Sequence, residues 1–289
     1  MIAAEEIVLR TANTQFAAKA WGPVDGLPVL ALHGWLDNAA SFDTLAPLLP
    51  GARVVALDLP GHGRTSHRAP GAWYHYVDYL DEVLAAADVL GWTRFVLLGH
   101  SLGGAIGSIL AAVVPERVAQ LWLVEALGPM ATPAGKMLGL LRQAIADRAG
   151  LATKSLRVFA SLDEAIAVRA AGPRLPLSEP AARRIVERGT KAVDGGFVWS
   201  SDPRLMLTSA IRLTEDQILA CLPGIACPTL MIMADPPMPY VDQAQMAARI
   251  AAVKGLEHVV LPGTHHLHLE DPQPAANAIA AFRARHRAA

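Results

Sequence analysis

The stretch FVLLGHSLGGAIGSILA, residues 95–111, starts as an apolar strand, turns through Gly99-His100-Ser101-Leu102-Gly103 and enters a helix whose first turn is built of small residues. A G-x-S-x-G turn between strand and helix needs its glycines, because the serine sits in a strained backbone conformation and neighbouring chain must approach closely. Outward from this centre, short apolar runs bounded by Gly, Pro and Asp alternate with helical patterns. That alternation predicts an α/β fold with a mainly parallel sheet covered by helices on both faces. Strands are expected at 6–10, 15–21, 29–32, 53–57, 95–98, 121–124, 229–233 and 257–261, enough for eight. The first two lie too close together for a crossover helix, so they form an antiparallel hairpin at one edge.

Tyr76, Leu80, Val83, Ala87 and Leu90 follow helical spacing up to Gly91, and a last helix is expected from Pro274 to Arg285. Between the sixth and seventh strand candidates lies a stretch far longer than a crossover needs, yet too periodic to be a loop. Segments 135–147, 156–171, 180–188 and 205–213 read as helices. The expected organisation is therefore a core in two parts, 1–129 and 213–289, with a helical cap inserted at 130–212.

A serine hydroxyl is a poor nucleophile at neutral pH unless a base takes its proton during attack. The candidate base is in LPGTHHLHLEDP, residues 261–272, between the last strand and the last helix. His265, directly after the Gly-Thr turn, is placed where a loop can carry an imidazole over Ser101. His266 and His268 next to it raise the question of a metal, but no carboxylate or cysteine cluster accompanies them in the sequence, so no metal site is expected. The third member must be a carboxylate at a strand end. Glu125 closes LWLVE and Asp235 closes PTLMIMAD, and either can serve, with Glu125 preferred. The oxyanion formed on the substrate needs two backbone N–H groups, assigned to Leu102 after the nucleophile and to Trp35 in the loop LALHGWLDNAASF. Trp35, Phe159, Phe197 and Trp199 are candidates for lining an apolar substrate pocket, with ordinary packing an equal alternative for the last three. Asp37 and Asn38 read as caps of the helix after that loop, and Arg204 beside Asp202 reads as a cap salt bridge.

With these motifs in hand, the chain resembles the α/β-hydrolases. His33-Gly34-Trp35, Asp58-Leu59-Pro60-Gly61-His62-Gly63, Gly99 to Gly103, and His265 through Glu270 to Pro272 match that family in content and order and span nearly the entire core. HGWLDNAASFD, DLPGHG and SSDPRL are similar to its serine hydrolase-like branch with a helical cap. The resemblance implies an eight-stranded sheet and a Ser-acid-His order along the chain. It commonly puts the acid in a Gly-x-x-Asp turn after the seventh strand, where this chain has Ala234 and Pro237. Asp235 is thus two positions early, and the alternative family position after the sixth strand is occupied by Glu125. The implied activity is a carboxylesterase cleaving a small ester through an acyl-enzyme. Lactone, thioester or C–C bond hydrolysis on the same triad, and a non-catalytic ligand-binding role, are the alternatives.

Composition narrows the partners. The 289 residues carry 25 Lys plus Arg against 26 Asp plus Glu, a net charge of −1, so neither nucleic acid nor an anionic membrane is expected to bind. No G-x-G-x-x-G follows the first strand, and no cofactor is expected. Cys221 and Cys227 read as two unlinked thiols. With acidic residues near the N-terminus and no signal-type segment following, the chain is expected in the cytoplasm. The expected partner is a small-molecule ester, and the sequence sets no oligomeric state.

Overall fold

Successive side chains of a strand point to opposite faces, and in this protein both faces are filled. In the computed structural model, which describes residues 4–151, 156–172, 175–239 and 241–286, Val55, Leu57, Leu30, Leu32, Leu97, Leu121 and Met231 enter one apolar layer. Their strand neighbours Val54, Ala56, Val29, Ala31, Leu98, Trp122 and Leu230 enter the other.

The strands are β1 (Glu5–Arg10), β2 (Gln15–Trp21), β3 (Leu27–Leu32), β4 (Ala52–Leu57), β5 (Phe95–His100), β6 (Val118–Val124), β7 (Thr190–Val193), β8 (Gly196–Trp199), β9 (Thr229–Asp235) and β10 (Glu257–Pro262). Eight of them form one sheet in the order β1-β2-β4-β3-β5-β6-β9-β10, with β1 and β2 as an antiparallel hairpin at one edge and parallel pairing from β4 to β10. The helices α1 (Asp78–Val89) and α2 (Leu102–Val113) cover one face. Three helices belong to the inserted segment: α3 (Met137–Leu151), α4 (Leu162–Ala170) and α5 (Glu179–Gly189). After it come α6 (Glu215–Cys221), α7 (Gln243–Ala252), the single turn α8 (Leu267–Glu270) and α9 (Pro272–Arg285), whose Ile279 and Phe282 fill the second face. No helix among the described residues is long and apolar enough to cross a membrane.

The inserted segment departs from an all-helical cap in two places. β7 and β8 make a two-stranded hairpin through Asp194-Gly195-Gly196, with φ of 83° and 144° at the two glycines. Asp-Gly between short β-branched and aromatic runs is a hairpin signal that the helical reading passed over. The expected helix at 205–213 does not form: a 3-10 turn ends at Met206 and the chain beyond is irregular. There the Asp147 carboxylate takes both the backbone N–H and the hydroxyl of Thr208, a side-chain alternative to helical hydrogen bonding.

Buried charge ties the inserted segment to the sheet. Arg188 of α5, almost fully buried, reaches Asp58 at 2.9 and 3.0 Å and Glu6 at 2.7 Å. Asn38 caps the 3-10 turn after β3, as expected, and also donates to the Ile185 carbonyl of α5 at 2.8 Å. Arg204 closes onto Asp202, which accepts a hydrogen bond from Tyr74 of the core.

The closest approach in the core is at Gly103, where a Cβ would lie 1.9 Å from the Leu32 carbonyl oxygen. Gly107, one turn on in the same helix, has ordinary contact distances beginning at 3.4 Å. Gly103→Ala is therefore expected to destabilise the protein by about 1–3 kcal/mol in denaturant unfolding. Gly107→Ala should be neutral or stabilising by up to ~1 kcal/mol, because alanine is the better helix former.

Candidate active site

Ser101 follows the last residue of β5 with φ 51° and ψ −112°, a conformation that L-residues seldom adopt. The turn is pinned on both sides, by Ser101 N–H to the Val124 carbonyl and Gly103 N–H to the His33 carbonyl, each at 3.0 Å. Ser101 and Leu102 are partly exposed at the end of the sheet, while β5 before them and α2 from Gly103 to Ala111 are buried.

Three non-glycine residues in the described chain have positive φ: Leu36 at 62°, Ser101 at 51° and Glu125 at 61°. They lie after β3, β5 and β6, three neighbouring strands ending at one edge of the parallel sheet. Strain of this kind persists only where surrounding structure over-determines it, and it clusters at functional sites.

At Glu125 the backbone N–H is held by the Ile232 carbonyl, and carboxylate oxygen Oε1 takes the Ala234 N–H. The other oxygen, Oε2, lies 3.1 Å from His265 Nδ1. A carboxylate accepts, so Nδ1 carries the proton and Nε2 is the ring's basic nitrogen. His265 is buried, and its carbonyl accepts from His100 Nε2 at 2.9 Å, which ties the histidine loop to the residue before Ser101. Asp235 lies exposed at the end of β9, and no ion pair or hydrogen bond joins its side chain to His265 among the described residues. Its carbonyl receives Gly263 N–H at 3.1 Å, which helps to seat the turn before the histidines.

On the other side of Ser101 stands the loop after β3. His33 donates from Nδ1 to the Gly34 carbonyl at 2.7 Å and accepts the Leu59 N–H at Nε2, 2.9 Å away. The Leu102 N–H begins α2, where helix donors have no intrahelical partner. The Trp35 side chain is 49% exposed and its Nε1 donates to the Leu205 carbonyl of the cap.

The remaining pocket candidates go elsewhere. Phe159 is fully buried and backbone-paired with Phe197, and Trp199 meets its ring edge-on at 5.2 Å. Phe159 and Trp199 thus fill the cap's own core with Ile166, Ile185 and Leu269, and Phe197 is half-buried on the hairpin. Asp37 caps no helix: it receives His266 Nε2 at 3.1 Å and Arg169 of α4 at 3.0 Å. Burial pushes its carboxyl up, but His266 and the Arg169 guanidinium outweigh that and hold it well below its ordinary value. No spacing in the sequence marks this grouping, since 229 residues separate Asp37 from His266.

A model of the alpha/beta hydrolase fold family matches residues 28–272, and the chain belongs to that family. Within it the chain is of the serine hydrolase-like branch. It is 32% identical to the serine hydrolase-like protein of Danio rerio over 97% of this chain and 88% of that one. It is 33% identical to serine hydrolase-like protein 2 of Homo sapiens over 96% and 93%. Among solved structures, a hypothetical protein from Pseudomonas aeruginosa PAO1 superposes with a TM-score of 0.92 at 42% identity, covering 97% of this chain and all of that one. The thioesterase domain from the curacin biosynthetic pathway does so with 0.82 at 26% identity, covering 96% and 99%.

Buried histidines beside the site, His33 and His62 among them, set a pH limit on the fold. Burial lowers His33 from 6.5 to about 4, against the Gly34 hydrogen bond, and burial with the neighbouring His33 charge lowers His62 to about 3. Between these values and 6.5 the unfolded chain binds protons that the folded one refuses, so stability rises with pH there. Stability is expected in full above about pH 6.5 and to be lost progressively toward pH 4, by up to roughly 1.4 kcal/mol per pH unit for each histidine. Denaturant unfolding at a series of pH values measures the slope. Replacement of His62 by a non-titrating residue should reduce it, provided the variant folds.

Proposed function

We propose that this serine hydrolase-like protein is a carboxylesterase that cleaves a small ester through an acyl-enzyme. The observation that carries the reading is the Glu125–His265 pair beside a serine held at positive φ. In this reading Ser101 Oγ attacks the ester carbonyl as its proton passes to His265 Nε2. Charge on the carbonyl oxygen is met by the backbone N–H groups of Leu102 and Trp35. The tetrahedral adduct collapses, the C–O bond to the alcohol breaks, and His265 returns the proton to the leaving oxygen. Water then repeats the sequence on the acyl-enzyme, with His265 as base. Glu125 keeps the imidazole in the Nδ1–H tautomer and stabilises the imidazolium without taking its proton.

Likeness to the curacin thioesterase domain supports a second substrate class, since the same steps cleave an acyl–sulfur bond. A panel of oxygen esters and thioesters of matched acyl length separates the two by kcat/KM.

Ser101→Ala should leave the fold intact and reduce turnover by several powers of ten. A fluorophosphonate should modify Ser101 in the wild type. Absence of an adduct, under conditions that label an active esterase, would favour a non-catalytic binding protein.

Glu125→Gln keeps the side-chain volume but removes the charge, and turnover should fall by about two to four powers of ten. Asp235→Asn should lower it far less. The reverse ranking of the two variants would move the acid to β9.

A further inference from the structure

Beneath the histidine loop lies a second constellation that ester hydrolysis does not use. Asp37, His100 and His266 are all buried, and one donor atom from each lies within 4.8 Å of the other two. His266 Nε2 is 3.1 Å and His100 Nδ1 3.8 Å from the same oxygen, Asp37 Oδ2. Ligand atoms around a tetrahedral zinc with bonds of about 2.0–2.1 Å stand roughly 3.3 Å apart, so small side-chain shifts convert this spacing into a coordination triangle.

His100 is set up as a ligand. Its Nε2–H donates to the His265 carbonyl, which fixes the tautomer and leaves the Nδ1 lone pair facing the carboxylate. That Nδ1 is buried without a hydrogen-bond partner, as is Nδ1 of His266. When His266 Nε2 turns to a metal, its proton moves to Nδ1 and the ring stays neutral. Arg169 holds Asp37 Oδ1 at 3.0 Å and leaves Oδ2 to the two imidazoles, as an outer hydrogen bond orients a ligating carboxylate. Space between the donors depends on Gly34, where a Cβ would lie 2.9 Å from His100 Nδ1 and 3.2 Å from Asp37 Oδ2. A cleft of about 340 Å³, bordered by Leu177, Gly263, Thr264 and Leu267, opens beside this loop.

We propose that Asp37, His100 and His266 bind one zinc-class divalent ion per chain, separate from the Ser101 chemistry. Two neutral imidazoles and a single carboxylate suit zinc or cobalt, whereas calcium and magnesium require mostly oxygen ligands. The donors come from the loop after β3, the end of β5 and the turn after β10, so bound metal would cross-link the ends of three strands.

The test uses the full-length protein, stripped with a chelator and titrated with Zn²⁺ against a chromophoric competitor. One equivalent is expected to bind, with affinity reduced at least about tenfold in His100→Gln and in His266→Gln. The exposed His258→Gln should bind as the wild type does. Because the buried variants can lose their fold, anomalous scattering from zinc-soaked wild-type crystals provides the second measurement. A peak between Asp37 Oδ2, His100 Nδ1 and His266 Nε2 supports the site. A peak elsewhere, no peak, or no stoichiometric binding overturns it. None of these readouts depends on whether Ser101 turns over an ester.

Discussion

The contact between the start of α2 and the end of β3 is the constraint on which the rest of this structure depends. Gly103 has to pass so close to Leu32 that no side chain fits, and the same approach lets Gly103 N–H bond to the His33 carbonyl. That bond locks the turn after β5 against the loop after β3. Ser101 is then left in a backbone conformation that it would not choose alone, and the buried strand and helix on either side hold it there. Leu36 and Glu125 also have positive φ, in the turns that follow the neighbouring strands β3 and β6.

Buried charge is one of the ties between the inserted segment and the core. Arg188 is enclosed between Asp58 and Glu6, and Asp58 also accepts N–H groups from Ala39 and Arg64. A buried pair of this kind adds little compared with a well-packed apolar substitute, but losing one partner is costly because the other is left uncompensated. Such contacts hold one arrangement of cap on core. Arg169 and Asn38 do the same beside the loop after β3, so the inserted helices are registered against the elements that carry the site.

Three histidines in four positions receive three different environments. His265 turns to Glu125, His266 turns to Asp37, and His268 is enclosed against Phe42 and His100 with neither ring nitrogen bonded. Residue type alone does not distinguish them. His265 and His266 precede the single turn α8 and His268 lies within it, and buried partners from distant segments decide what each can do.

Local pattern determined much of this protein. All eight sheet strands, the edge hairpin, the serine turn and the pairing of Arg204 with Asp202 were legible, because short apolar runs, turn glycines and short-range charge act over a few residues. Asp-Gly-Gly at 194–196 was legible too, but the stretch between the helical segments 180–188 and 205–213 was assigned no strands. Tertiary structure alone decided that Glu125, and not Asp235, faces His265, since both end apolar strands and only the order β6-β9-β10 sets their distances from the histidine loop. It also decided that Phe159 and Trp199 fill the cap and that Asp37 meets His100 and His266. Those contacts join positions far apart in the chain, and no local propensity encodes which buried groups the folded sheet will bring together.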